Sequence, residues 1–578
     1  MKKIIMLFAA VFSIGIFITS CADKSKDPSK SSVVNGEEPV VSGNNVADSD
    51  YGVAYLDQNW NDETRNEWWY TGQGSLLIPY DWFRVLEQAD NEERFGSDKN
   101  MESLGFIYGT KKDNKWNPGG LPVGFLKEED PKSKKSYLGV TCAACHTGQI
   151  EYQGKRFIVE GGPARADFDR FITEIAEALQ ATLSDDNKFK RLADNYFDGN
   201  VSPDKAKELK DRMTKVSADF NARIERNRPP HPNGYGRLDA FGNIFNEVVV
   251  TAINEPDNVN PVNAPVSYPV LWDTPQHDVV QWNGAAVNAG VGPYVRNAGE
   301  VVGVFGGVHI EQAADGSPGK LQYRHHINLE NLKRLEDILV TLWSPVWPET
   351  LLPAIDQEKA GRGKEHYNKL CLGCHEIINR KDPERQITAR IIPLKKIGTD
   401  PVMAENSTSG ISKTGILEGQ PKLPLPGIPA FGPQAPPGEL VGNVIVNILF
   451  QELPKILAPD TLKKDLGEFL QAKKKSSTVS PGYKARPLNG IWASAPFLHN
   501  GSVPSLWELL KKPDDRIRQF HVGSGELDPV HVGFSINDGP LTSKFDTALP
   551  GNSNQGHDYG TRLNDTNKLE LIEYIKTL

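Results

Sequence analysis

The sequence predicts a mainly α-helical chain in two units, each organised around one C-x-x-C-H motif. Three observations carry that reading. The stretches "TCAACHTG" and "KLCLGCHE" put Cys142, Cys145 and His146 in the first half and Cys371, Cys374 and His375 in the second. Apolar residues recur at helical spacing in long segments; Phe168, Phe171, Ile172, Ile175 and Leu179 share one face of residues 167–182. A proline-containing junction, "SPVWPETLLP" at 344–353, separates the two halves.

Taken in order, the elements begin with an export signal at 1–21. Lys2 and Lys3 precede an apolar run from Ile4 to Ile18, too short for a comfortable membrane span, that ends in "ITSC". Cys21 after small residues reads as a bacterial lipoprotein cysteine, which predicts an exported protein, periplasmic or at the cell surface, lipid-anchored to a membrane. Residues 22–50 are rich in Ser, Asn, Asp and Gly, the composition of a flexible tether. The first unit is expected over 51–345, with aromatic-rich "NEWWYTG" and "YDWFRVLEQ", helices at 167–182, 203–228 and 329–343, and a loop-rich insertion at 229–320. The second, over 346–578, is expected to hold helices near 357–371, 438–453, 459–474 and 565–578. Apolar residues, 38% of the chain, suffice for real cores, while 52 glycines and 41 prolines demand much loop. A net charge of −9, with no basic run beyond Lys473–Lys475, excludes nucleic acid as a partner.

The five cysteines divide into Cys21 and two pairs, with none left over. A C-x-x-C-H motif reads as an attachment site for c-type haem. One turn of chain sets two thiols along the edge that carries the vinyl groups, and the following histidine reaches the iron as proximal ligand. The chain is therefore expected to carry two covalently bound c-type haems, one on Cys142, Cys145 and His146 and one on Cys371, Cys374 and His375. A thioredoxin-like pair or a shared zinc site competes, but zinc would leave both adjacent histidines as coincidences. The flanks differ. "EKAGRGKEHYNKLCLGCH" is an amphipathic helix running into its motif, as a small cytochrome c domain opens, whereas "SYLGVTCAACH" is an apolar, strand-like or loop entry.

The two motifs, with "APFLHNGSVPSLWELL" at 495–510 and "GNSNQGHDYGTRL" at 551–563, resemble the di-haem cytochrome c peroxidase superfamily. "VSYPVLWDTPQHDVVQWNG" and "GYGRLDAFGNIFN" are similar to the branch that includes haem-containing rubber oxygenases. The resemblance implies two cytochrome c-like haem domains with long loop-rich insertions. It implies an active haem on His146, an electron-transfer haem on His375, and Trp272 as the aromatic between them, with Trp282 second. It points to His557 as sixth ligand of the second haem, with His521 and Met403 as alternatives; His499 orients a loop, and His366 points away from the iron. Arg165 and Arg486 are candidate cations for haem carboxylates. Glu160 is the candidate acid above the open iron, and Gly284–Gly290 a candidate small, apolar pocket wall.

The implied activity is an exported di-haem oxidoreductase that activates peroxide or dioxygen at one haem and moves electrons through the other. The rival readings are a rubber-oxygenase-like dioxygenase on an apolar substrate and a pure di-haem electron carrier. The expected partners are a small redox protein or other electron donor, and peroxide, dioxygen or an apolar organic substrate.

Overall fold

A computed structural model describes residues 47–48, 52–108, 115–313, 320–424, 427–476 and 481–578. The export signal, the tether and Cys21 lie outside the described residues, apart from the two-residue strand Ala47–Asp48. No helix among the described residues is long and apolar enough to cross a membrane.

The periodic segments fold as helices where the pattern puts them: Phe168–Ser184, Pro203–Arg226, Leu329–Val340, Gln357–Leu370, Pro437–Ile456, Pro459–Ser476 and Asp565–Lys576. Side chains set their starts. Asp167 accepts from the backbone N–H of Arg170, Ser202 from Lys205 and Asp356 from Lys359, each satisfying a donor that the first turn leaves open. The expectation of a mainly α chain is corrected: the fold is mixed α/β, 40% helical and 16% strand. The strands escaped the sequence because they run two to six residues and find distant partners. Val53–Tyr55 pairs in parallel with Lys155–Glu160, which pairs antiparallel with Thr147–Tyr152. Gln153 and Gly154 close that hairpin with φ of 50° and 77°, the twist of a two-residue primed turn. Ser136–Val140 pairs with both Ile78–Pro79 and Phe125–Glu129. The stretch 229–320 is more structured than a loop. It contains the helices Ala240–Asn246 and Gly292–Gly303, with one turn of π-helix at Glu247–Ala252.

Two large cores result. One packs Phe106, Phe125 and Phe171 edge to face at 4.8–5.4 Å beside the Phe168–Ser184 helix. The other runs from Val53 to Ile575 and takes in Trp272, Trp347 and Trp492, so residues either side of 345/346 share one apolar interior. Trp492 meets Trp347 at 5.2 Å and Phe157 at 6.3 Å.

Candidate functional site

The two C-x-x-C-H motifs enter from different structures and close the same turn. The first follows strand Ser136–Val140: Thr141 caps a single 3-10 turn at Cys142–Ala144, and the next strand begins at Thr147. The second follows the Gln357–Leu370 helix. In both, the histidine N–H donates to the carbonyl of the first cysteine, at 3.0 Å for His146 to Cys142 and 2.8 Å for His375 to Cys371. The strand-like entry to the first motif and the helical entry to the second are as the sequence predicts.

The helix of the second motif packs closely on the C-terminal helix Asp565–Lys576. Gly363 lies against the backbone of Glu570 in the C-terminal helix, where a Cβ would sit 1.9 Å from the Glu570 carbonyl oxygen. Tyr367 is fully buried, meets Tyr574 edge on at 5.2 Å, and donates from its hydroxyl to the His375 carbonyl at 2.7 Å.

Each motif histidine is held through one ring nitrogen. His146 Nδ1 lies 2.8 Å from the Pro269 carbonyl, and His375 Nδ1 lies 2.7 Å from the Arg486 carbonyl. A carbonyl only accepts, so Nδ1 carries the proton and Nε2 keeps its lone pair for a metal. Burial pushes His146 down to about 4, and lowers His375 as well, so both rings are neutral at ordinary pH. No disulfide joins the four motif cysteines. Burial pushes Cys142, Cys145 and Cys371 up to about 12. A thioredoxin-like pair needs the opposite, a thiol made acidic by its surroundings. Among the described residues no three His, Cys, Asp or Glu side chains converge as a metal cluster would require, which removes the shared zinc site.

His557 faces His375, with ring centroids 6.3 Å apart. Two metal–imidazole bonds of about 2.0 Å, with about 1.1 Å from nitrogen to ring centre, separate coaxial rings by about 6.2 Å. The donor set and its spacing therefore fit an iron between the two rings. The loop carrying His557 is built for that position. Gly556, at φ 75°, abuts the backbone of Gly398 and Thr399, where a Cβ would lie 2.2 Å from the Gly398 carbonyl carbon. The His557 N–H donates to Ile397 O at 2.8 Å. Buried Arg516 holds the loop from the other side, donating to Asn554 O at 2.5 Å and Gly556 O at 2.9 Å.

The other histidines are engaged elsewhere. His521 is on a strand edge beside Asp538, His366 is beside Glu570, and His499 stacks on Tyr483 at 3.9 Å. Met403 is buried with Ala264 and Tyr483. At His146 the ring neighbour is Tyr268, edge on at 6.3 Å, rather than a histidine.

Trp272 belongs to a segment that touches both motif histidines. Pro269 receives His146. Arg486, whose carbonyl receives His375, donates from its guanidinium to Val270 O at 3.2 Å and Trp272 O at 2.9 Å. A short run of backbone and hydrogen bonds thus joins His146 to His375. The Trp272 ring is buried and its Nε1–H donates to Asn489 O at 2.9 Å. Asn489 also donates to Asp273 at 2.5 Å, and Asp273 pairs with Arg385 at 2.8 Å. Trp282 bonds Ser267 O instead and packs in a separate cluster with Tyr483.

Two candidate roles are corrected. Glu160 is locked in a structural knot: it accepts from Arg65 Nε at 2.8 Å and Trp69 Nε1 at 3.0 Å, all three side chains are buried, and Arg65 and Trp69 occupy both carboxylate oxygens. Arg165 is spent on Glu151 at 3.1 Å and Gly523 O at 3.2 Å, across to the strands of the second half. Gly284–Gly290 packs against Ile391 and Asp465. The residue that sequence reasoning missed is Glu300, on the Gly292–Gly303 helix. It accepts from Gln281 Nε2 at 2.5 Å, burial pushes its carboxyl toward the protonated form, and it is near enough to raise Cys142 and Cys145. No local pattern marks it, since its helix opens on glycine and proline and its partner is nineteen residues back.

The RoxA-like, cytochrome c-like family matches residues 482–521, the stretch that supplies Arg486, Asn489 and Trp492. The matched stretch is similar to part of a cytochrome c-like domain, a kind of domain that implies haem. An uncharacterized protein y4iJ from Sinorhizobium fredii is 32% identical over 582 residues, covering 91% of this chain and 93% of that protein. Uncharacterized protein y4iM from the same organism is 35% identical over 119 residues, covering 17% of this chain and 27% of its own length.

Proposed function

We propose that this chain, which belongs to the same family as the Sinorhizobium fredii protein y4iJ, is an exported haem oxidoreductase with one catalytic and one electron-transferring haem. Cys142 and Cys145 bond the first, with His146 as proximal ligand. Cys371 and Cys374 bond the second, between His375 and His557. The observation that carries the reading is the matched pair of histidines, each with Nδ1 on a backbone carbonyl, joined through Pro269–Trp272 and Arg486. Bound haem supplies one-electron redox chemistry and, where an axial position stays open, activation of peroxide or dioxygen.

The chain's own residues divide the work. His557 and His375 would hold the second site from two sides through like donors, which suits electron transfer with little rearrangement. His146 takes its proton bond to Pro269 and leaves Nε2 as the ligand atom. Trp272 and Arg486 fix the distance between the two sites. Glu300, with Gln281 orienting it, keeps a proton available beside the first site, as cleavage of a peroxide O–O bond requires. That half-buried acid favours peroxide reduction, with a small redox protein as electron donor. The second reading, a dioxygenase acting on an apolar substrate, is favoured by the RoxA-like match. A lipid anchor at Cys21 would keep either enzyme at a membrane surface outside the cytoplasm.

Low-temperature EPR of the air-oxidised, purified protein tests the division of labour. One high-spin and one low-spin ferric haem per chain is expected. Two low-spin haems would leave a pure electron carrier. If one site is open, Glu300→Gln should lower peroxide turnover by 10²-fold or more, the usual scale of a lost acid–base group; turnover within about threefold of the wild type rules Glu300 out of that role.

A further inference from the structure

At the strand Gly482–Ala485 three nitrogen-bearing side chains come from neighbouring stretches of chain: Lys484 on the strand reaches Val279, two residues beyond His277, and Arg486 follows two residues after Lys484. His277 is 3% exposed, and among the described residues neither of its ring nitrogens has a hydrogen-bond partner. Among the same residues Lys484 Nζ finds only Val279 O, at 3.5 Å. Arg486 donates to two carbonyls. Among the described residues neither cation has a carboxylate within 4 Å. The nearest acids are committed elsewhere: Asp273 to Arg385 and Asn489, and exposed Asp278 to the backbone N–H groups of Val279 and Ala389. Arg296, which faces the group from the Gly292–Gly303 helix, is taken up by Glu336 and Asn288.

Such a group is costly as it stands. Burial and the neighbouring guanidinium push Lys484 down to about 7, burial pushes Arg486 down to about 10, and burial, with the charges of Lys484 and Arg486, lowers His277. Buried polar groups are almost always satisfied, and buried like charges more so. His277 lies five residues beyond Trp272, and Arg486 touches Trp272 O and holds His375. The cluster therefore sits on the link between the two motif histidines.

We propose that His277, Lys484 and Arg486 form one anion site for a carboxylate, and that the carboxylate is a propionate of a haem held by the adjacent motif. The proposal rests on the reading of two covalent haems given above. Lys484 contributes the point charge, Arg486 a fork geometry suited to carboxylate, and His277 a neutral donor. The shared chemistry, a carboxylate between three nitrogens, would also suit a dissolved carboxylic acid, and the test separates the two sources.

The test is isotope-edited infrared difference spectroscopy, reduced minus oxidised, on the full-length holoprotein with haem carrying ¹³C at its carboxylates. In the wild type the labelled carboxylate bands should respond to reduction. In Lys484→Met and in His277→Asn those bands should shift, and in Lys484→Arg, which keeps the charge, they should stay near the wild-type position. The midpoint potential of the affected haem should fall in Lys484→Met, because a nearby positive charge favours the reduced state. His277→Asn alone carries the test if Lys484→Met does not accumulate. Labelled haem bands that are identical in wild type, Lys484→Met and His277→Asn, with two haems per chain intact, overturn the anion site and leave the di-haem reading standing. The propionate assignment is overturned, and the site passes to a dissolved carboxylic acid, if ¹³C-acetate added to the holoprotein gives a bound-carboxylate band that Lys484→Met abolishes while the haem bands stay fixed. A wild-type chain with no covalent haem removes both readings at once.

Discussion

Asp273 is the carboxylate on which the centre of the molecule leans. It is completely buried and accepts from Arg385 Nε at 2.8 Å, itself 5% exposed, and from Asn489 Nδ2 at 2.5 Å. Its charge also raises Arg380 and Arg486, which burial would otherwise depress further. Removing one partner of a buried pair costs about 3–5 kcal/mol, because the other charge is left without compensation. Here three arginines lose their acid together, so Asp273→Asn should cost the upper part of that range even though the shape is kept. Against a total stability of roughly 5–15 kcal/mol, that is a large fraction. With a denaturant slope of about 3 kcal/mol per M, the urea midpoint should fall by more than 1 M. The assay is urea unfolding of the holoprotein, read by far-ultraviolet circular dichroism and by indole fluorescence, since Trp272 hangs on the same Asn489. A loss under about 1 kcal/mol, the worth of an exposed pair, would show that the arginines are compensated otherwise, and the account of this network would be wrong.

Three further outcomes follow from other sites. Exchanging the imidazole for a thioether in His557→Met should raise the midpoint potential of the second haem by on the order of 0.1 V or more, within the roughly 0.8 V that axial ligands span; an unchanged potential in a redox titration would remove His557 from the iron. Gly363→Ala would drive a methyl into the Glu570 carbonyl, so it should lower stability by about 1–3 kcal/mol or more and reduce haem attachment at Cys371 and Cys374, read by calorimetry and peptide mapping. Burial pushes Glu128, packed against Gly72, up to about 7. The native state therefore holds a proton that the unfolded chain has already released. Stability should accordingly decline as pH rises from the ordinary carboxyl range to about 7, by no more than about 1.4 kcal/mol per pH unit, and Glu128→Gln should flatten that slope in pH-dependent unfolding curves.

The legible parts of the molecule are those whose physics is local. A helix announces itself through period 3.6, and Phe168, Phe171, Ile172, Ile175 and Leu179 are all buried on one face of Phe168–Ser184. The C-x-x-C-H motif is local too, five residues that close the same turn at Cys142–His146 and at Cys371–His375. The strands were illegible because Val53–Tyr55 and Ile78–Pro79 are too short to show alternation, and their partners lie about a hundred and about sixty residues away. Glu160 and Arg165 show the opposite failure. Each is a candidate by residue type, yet Arg65 and Trp69 claim the one and Glu151 the other, and Arg65 and Trp69 come from a distant element.

The segment matched by the RoxA-like family, 482–521, contains neither C-x-x-C-H motif, and this is the informative point about it. Attachment chemistry needs only a five-residue turn, and each motif builds that turn from its own flanks, one a strand and one a helix. What must be supplied from outside is the surrounding that decides how a motif is used. In this chain, residues 484–492 supply much of it. The Arg486 carbonyl sets the tautomer of His375 while its guanidinium grips the backbone beside the Pro269 carbonyl that sets the tautomer of His146. Asn489 holds both the Trp272 indole and the Asp273 carboxylate, and Trp492 closes the apolar core over Phe157 and Trp347. A substitution in this stretch therefore cannot alter one motif's environment without reaching the other's, because the same few atoms serve both.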